Sequence, residues 1–149
     1  VYGLLRRLTG GHDAIAADVL QESWIRATTR LATFRGDSAF RTWLTGIALN
    51  CYREWRRGAA AETEIEDAEQ IDTLPSGANT RALEIQQVLD ATPRVFREVL
   101  VLHDVEGLTH REIASALGIE VGTSKSRLSR ARLIFRRAWN RGSTEEHDA

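Results

Sequence analysis

Residues 108–137 read LTHREIASALGIEVGTSKSRLSRARLIFRR, and this stretch decides the fold. Thr109 followed three residues later by Glu112 is a capping box: the hydroxyl accepts from the Glu112 amide while the Glu112 side chain reaches back. The apolar positions that follow, Ile113, Ala114 and Leu117, fall on one helical face. Gly118 tolerates the left-handed backbone that stops a helix. Ile119 anchors a turn, and a second helix opens near Val121–Thr123. Its apolar seam runs through Val121, Leu128, Ala131, Phe135 and Ala138. The other faces carry Lys125, Arg127, Arg130, Arg132, Arg136, Arg137 and Arg141, with no acid between Val121 and Arg141. A helix built only for solubility mixes signs to gain i,i+4 pairs. Charge of one sign over several turns repels itself unless an anion faces it, and small polar Thr123, Ser124 and Ser126 allow close approach to base edges and phosphates. The stretch therefore reads as a helix-turn-helix that binds DNA.

Working outward, the charge of the whole chain is misleading. The 149 residues sum to −1. Yet residues 1–58 carry nine basic and five acidic residues, 59–92 carry one and eight, and 93–142 carry ten and five. Two basic blocks separated by an acidic strip are the asymmetry of a two-part polyanion binder. The single cysteine, Cys51, excludes an internal disulfide, and no Cys/His spacing resembles a zinc site. No apolar run approaches the roughly 20 residues that span a bilayer, and the start does not read as a signal peptide, so a cytoplasmic chain without cofactor or metal is expected. Val1, with Leu4, Leu5 and Leu8 close behind, is expected to enter a helix already under way, as a trimmed fragment would.

Nearly everything outside the middle reads as helix, which makes the chain all-α: two small helical domains joined by a flexible acidic linker. Residues 16–33 put Val19, Leu20, Trp24, Ala27 and Leu31 on one stripe, with Ile25 alongside. Residues 34–39, FRGDSA, break the pattern as a turn. Phe40 to Arg57 follows with Phe40, Trp43, Leu44, Ile47, Ala48, Cys51 and Trp55 in register. Residues 58–80 lose that order and read as linker, carrying an acidic cluster and Pro75–Ser76–Gly77. Arg81–Ala91 resumes as helix. Pro93 to His103 gives another, with Val95, Phe96, Val99, Leu100 and Leu102 expected inside and Pro93 near the first turn. The domains expected are thus 1–57 and 81–141, with 58–80 as linker and 142–149 as tail.

The segments DVLQESWIRA, FRGDSAFRTWLTGIALN and LVLHDVEGLTHREIASALGIEVGTSKSRLSRAR together resemble the extracytoplasmic-function (ECF) sigma factors of bacteria. These keep a core-binding, promoter-melting region 2 and a C-terminal region 4. The resemblance covers Leu4–Arg57 and about Leu83–Arg137, in the family's order. It implies that Asp18, Val19, Gln21 and Glu22 dock on the clamp coiled coil of the largest subunit of core RNA polymerase. It implies that the turn Arg35–Ala39 and the helix after it take the minus-ten element of promoter DNA, with Asp37, Ser38 and Phe40 forming a pocket for an extruded base. Arg41, Asn50, Arg53, Arg56 and Arg57 would line the outer face, since Asn pairs with adenine and Arg with phosphate or guanine. In region 4 it places Lys125, Ser126, Ser129 and Arg130 on the minus-thirty-five element, beside Thr123 and with Arg127 in support. Arg132, Arg136 and Arg137 would be backbone contacts or solvated charge. An anti-sigma factor is the implied inhibitor.

Ser124 stands where the family commonly has Val, and its hydroxyl is expected to bond back to the preceding turn. Thr92, before Pro93, also replaces an apolar residue. Trp43 reads as mainly structural, Trp55 as core or interface, and Cys51 as a small buried filler. The acidic linker has two readings: a segment lying in the polymerase's nucleic-acid channel, or a spacer that keeps two basic domains apart. A regulator with a helix-turn-helix output domain is the alternative function, but it would need a sensing domain of alternating strands and helices before residue 80. An enzyme is not expected, because His12, His103, His110 and His147 sit on separate elements without a nucleophile or ligand set.

Overall fold

The computed structural model describes residues 1–37, 39–60 and 81–145, with side chains placed over 1–37, 39–58 and 84–142. Ser38 and the linker at 61–80 lie outside the described residues, as does the tail from 146. Among the described residues every regular element is helical. The chain divides into two compact units, Val1–Glu66 and Asp67–Ala149.

The first unit is a three-helix cluster. Helix α1 (Tyr2–Leu8) buries Leu4, Leu5 and Leu8 and ends where the Thr9 hydroxyl donates to the Leu5 carbonyl at 2.9 Å. Helix α2 (Asp13–Arg30) is tied back to α1 at its first residue, where Asp13 accepts from Arg6 Nε at 2.8 Å. Its buried face is Ala16, Val19, Ser23 and Ala27, which keeps Val19 and Ala27 of the stripe expected from apolar spacing but not its larger members. Trp24 and Leu31 stay 46% and 55% exposed. The reason is contact distance. Small residues let α2 approach helix α3 (Phe40–Ala60) closely, and the one polar member, Ser23, donates to the Val19 carbonyl at 2.6 Å. Helix α3 buries Leu44, Ile47, Ala48, Leu49, Cys51 and Tyr52. It runs to Ala60, three residues into the expected linker. Tyr52 is fully enclosed, and its hydroxyl donates to the Leu8 carbonyl at 3.3 Å, joining α3 to the end of α1.

The second unit begins with helix α4 (Arg81–Ala91), which buries Val88 and Leu89. Pro93 is the N-cap of helix α5 (Arg94–Leu100) rather than a residue of its first turn. At this corner Thr92 donates to the Val88 carbonyl at 2.6 Å, and Arg97 Nη1 donates to the Thr92 carbonyl at 3.0 Å. The buried residues of α5 are Arg97, Glu98, Val99 and Leu100, whereas Val95 and Phe96 are only half-buried. From Val101 to Val105 the helix widens to a π turn, with the Glu106 amide donating to the Val101 carbonyl at 3.0 Å. Such turns add a residue to the helical repeat and redirect the side chains that follow. Helix α6 (His110–Leu117) starts and stops where the sequence indicates, with Thr109 as N-cap and Gly118 at φ 67°. Glu112 N–H donates to Thr109 Oγ1 at 3.2 Å, but the returning contact runs from the Thr109 hydroxyl to Glu112 Oε1 at 3.1 Å. Helix α7 (Val121–Glu145) buries Ser124, Leu128, Ala131 and Ala138. Val121, read as seam, is exposed, and Phe135 is half-buried.

Candidate nucleic-acid interface

Burial of Ser124, Leu128 and Ala131 fixes the rotation of α7 and leaves Lys125, Ser126, Ser129 and Arg130 outward, all exposed. These four positions interlock at i,i+4 spacing, so they form one continuous strip. Thr123 and Arg127 are half-buried at its border. Ser126 donates to the Thr123 carbonyl at 3.1 Å, which draws its side chain to the helix start. Among the described residues neither Lys125 nor Arg130 has an acidic partner, so both cations are available to an anion. Arg132 differs from them. Its guanidinium grips Asp104 with two bonds, Nε to Oδ2 at 2.9 Å and Nη2 to Oδ1 at 2.7 Å. The expectation that Arg132 is a backbone contact or solvated charge therefore gives way to a structural role. The Arg132 hydrogen bonds, helped by His103, hold the Asp104 carboxyl below the usual range against the opposing effect of its burial.

Ser124 departs from its expected bonding too. Its hydroxyl meets His110 Nδ1 at 2.9 Å, linking α7 to α6 instead of to its own preceding turn.

In the first unit a 3₁₀ turn (Leu31–Thr33) ends α2 and releases the chain into the 34–39 turn. Gly36 there has φ +75°, a conformation costly for any residue with a side chain. Four aromatic rings flank this turn. Phe34 packs edge-on against Phe40 at 5.8 Å and lies 5.1 Å from Trp43; Phe40 is 5.5 Å from Trp43 and 6.4 Å from Trp24. Trp43 thus joins a surface cluster, since Phe40 and Trp24 are 41% and 46% exposed. Arg35 and Asp37 project from the turn, both exposed. Farther along α3, Asn50, Arg53 and Arg57 share a face at i, i+3, i+7 spacing. Arg41 leaves the first turn about two and a half turns earlier, on the opposite side of the helix. Arg41, Asn50, Arg53 and Arg57, grouped in the sequence, are therefore split between two sides of α3.

On α2, Asp18, Gln21 and Glu22 are exposed, while Val19 is 4% exposed. Val19 therefore packs inward and does not offer itself to a partner. Glu22 accepts from Arg26 Nε at 2.8 Å, and the same guanidinium clamps Glu54 of α3 with two bonds at 2.9 and 2.6 Å. These bonds hold the Glu54 carboxyl below its ordinary range. The same guanidinium also offsets the like charge of Asp18 and Glu22, which stand at i,i+4 on α2. Ile25, beside them and 53% exposed, is an apolar addition that the charge pattern did not reveal.

Comparison with known proteins agrees with this division. Sigma-70 region 2 matches residues 1–62, and Sigma-70 region 4 matches residues 82–134. The RNA polymerase sigma-H factor of Pseudomonas aeruginosa is 36% identical over 89% of this chain and 76% of its own length. The chain belongs to the ECF sigma factors. The ECF RNA polymerase sigma-E factors of Salmonella typhimurium and Escherichia coli K12 are 35% and 34% identical, each over 77% of this chain and 69% of their own. A sigma factor RpoE from Bartonella quintana, solved in complex with the anti-sigma factor NepR, shares the fold with a TM-score of 0.66 at 21% identity, over 93% of this chain and 89% of its own. This ECF sigma factor therefore directs transcription initiation, and its region 4 match takes in all of α6 and α7 as far as residue 134. Among the described residues no helix is long and apolar enough to cross a membrane.

Proposed function

We propose that this sigma factor divides one promoter between its two units while bound to core RNA polymerase in the cytoplasm. The strip Lys125, Ser126, Ser129 and Arg130, bordered by Thr123 and Arg127, takes the minus-thirty-five element. The observation that carries this reading is the α7 face itself: it is exposed, basic and single-signed, and a buried seam holds it in one rotation. Lys and Arg there neutralise phosphates, and Arg130 can fork to a guanine edge.

In the first unit, the turn with Arg35, Asp37 and Ser38 takes a base extruded from the minus-ten element. Phe40 and Trp24 offer half-open ring faces beside it, and stacking on such faces offsets part of the cost of unpairing. Asn50 and Arg53 would follow the adjoining strand, with Arg41 reaching it from the other side. Asp18, Gln21 and Glu22, with exposed Ile25, form the surface for the largest-subunit clamp coiled coil. Acidic side chains around an apolar contact suit a partner helix rich in arginine. An anti-sigma factor restrains the chain, and catalysis stays with the polymerase.

Runoff transcription with core enzyme and this chain as the sole sigma tests the assignment. Promoter-dependent transcripts are expected, and they should fall when Lys125 and Arg130 are both neutralised. A folded chain that does not associate with core polymerase would overturn the reading.

A further inference from the structure

Two histidines, a serine and an ion pair converge behind the DNA-facing strip. The π turn carries His103 and Asp104, whose Nδ1 and Oδ1 meet at 2.8 Å. The His103 ring stacks on that of His110, the first residue of α6, with centroids 4.8 Å apart and planes within 23°. His110 Nδ1 reaches the Ser124 hydroxyl at 2.9 Å, and Ser124 is fully buried one residue before Lys125. Asp104 meanwhile holds Arg132, about two turns farther along α7. The DNA-facing turns of α7 are therefore pinned at both ends to one polar cluster.

We propose that His110 is a positioning residue for promoter reading: through Ser124 it holds the first turn of α7, and protonation of His110 releases that turn and weakens the grip on DNA. The part concerning DNA rests on the reading of α7 given above; the release itself does not. The chemistry follows from what surrounds His110. His103 and Asp104 face it from the π turn, Lys125 and Arg132 face it from α7, and Arg111 and Glu112 flank it on α6. Of the two carboxylates in this set, that of Asp104 is already forked to Arg132 and bonded to His103. A proton on His110 therefore adds a cation beside Lys125 and Arg132. Burial, then the charges of His103, Lys125 and Arg132, push His110 below its ordinary value, with Asp104 opposing. The folded chain thus binds fewer protons here than the unfolded chain, so this contribution to stability is present at neutral pH and declines as pH falls below about 6.5. A neutral ring can share one proton with the hydroxyl, which explains a serine on an otherwise apolar seam. The imidazolium can only donate to the hydroxyl, so its charge beside Lys125 and Arg132 is what drives the ring outward; the buried hydroxyl it leaves is then costly and the turn loosens.

The test uses the full chain, with Ser124→Ala and His110→Gln beside the wild type. Histidine NMR titration and amide exchange over residues 121–128 are followed from neutral to about pH 5, the window in which histidine changes charge. Base-catalysed intrinsic exchange is corrected for, and the same variants, each assembled with core RNA polymerase, bind a duplex recovered from a random pool by selection with holoenzyme at neutral pH. Wild-type protection of this turn is expected to fall on acidification, with a parallel loss of duplex affinity. Glutamine at 110 keeps a polar partner for Ser124 but cannot titrate, so both responses should flatten. Alanine at 124 should lower protection at neutral pH and remove its pH dependence. Protection that ignores pH in the wild type, or that follows it equally in His110→Gln, overturns the proposal. Duplex affinity that rises on acidification only in the wild type makes His110 a phosphate ligand and overturns it as well. If no duplex binds at any pH, the reading of α7 has failed, and amide exchange still decides whether the release exists.

Discussion

Ile113→Ala should cost the second unit about half its stability without touching any DNA-facing residue. Helix α6 has only eight residues, and its buried side chains are Ile113, Ala114 and Leu117. Ile113 is fully enclosed, so nothing can collapse into its place without moving α6. Three carbons are lost. At about 0.8 kcal/mol each, transfer contributes roughly 2.4 kcal/mol, and the cavity left behind raises the total to about 3–4 kcal/mol. A unit spanning 67–149 holds about 8 kcal/mol at roughly 0.1 kcal/mol per residue. Native-state amide exchange reads the loss directly at Val99, Leu100, Leu128 and Ala131, which are buried around α6 and α7. Their exchange should accelerate by about a hundredfold or more, following 1.36 kcal/mol per decade, while Ile113→Val costs only about 1 kcal/mol. Acceleration below about fivefold in the alanine variant would refute the claim that Ile113 staples α6 to the unit.

Thr109→Ala removes the acceptor of the Glu112 amide and should lower stability by about 1 kcal/mol in urea unfolding, whereas Thr109→Ser should hold within a few tenths. Lys125→Gln and Arg130→Gln should each flatten the salt dependence of duplex binding by about 0.9 in log–log slope, so that each doubling of salt weakens the variant about 1.9-fold less than the wild type. Arg132→Gln should leave that slope nearly unchanged, because its charge is already engaged by Asp104; equal slopes for all three variants would contradict the division. Asp104 contributes through a depressed carboxyl, so its stabilisation is present above its unfolded value of about 3.9 and is lost as pH falls through the folded value. Asp104→Asn should therefore reduce stability at neutral pH and flatten the acid limb of the pH–stability curve.

Much of this was written in the sequence, for a physical reason that also explains the misses. Helix α6 has its start, stop and inner face encoded within ten residues by Thr109, Glu112, Ile113, Leu117 and Gly118, each acting on its near neighbours. Local chemistry of that kind is legible. Apolar spacing finds Val19 and Ala27 on the inner face of α2 but also selects Trp24 and Leu31, which stay exposed, and passes over Ala16 and Ser23, which are small and buried. Tyr52, with its hydroxyl on the carbonyl of distant Leu8, carried no local signal at all.

The same limit governs the charge of α7. Counting from Lys125 to Arg141 treats every cation alike, because nothing nearby in sequence distinguishes Arg132 from Arg130. The difference comes from Asp104, brought within reach of Arg132 by the π turn and the α6 corner, while Arg130 points away from it on the exposed strip. A single-signed helix in a folded unit is thus two populations. One part of its charge is already neutralised and holds the helix in place, and the remainder is left for the partner. The electrostatic work available to DNA is set by that remainder, so burial and pairing, rather than the count of arginines, determine how strongly this face responds to salt.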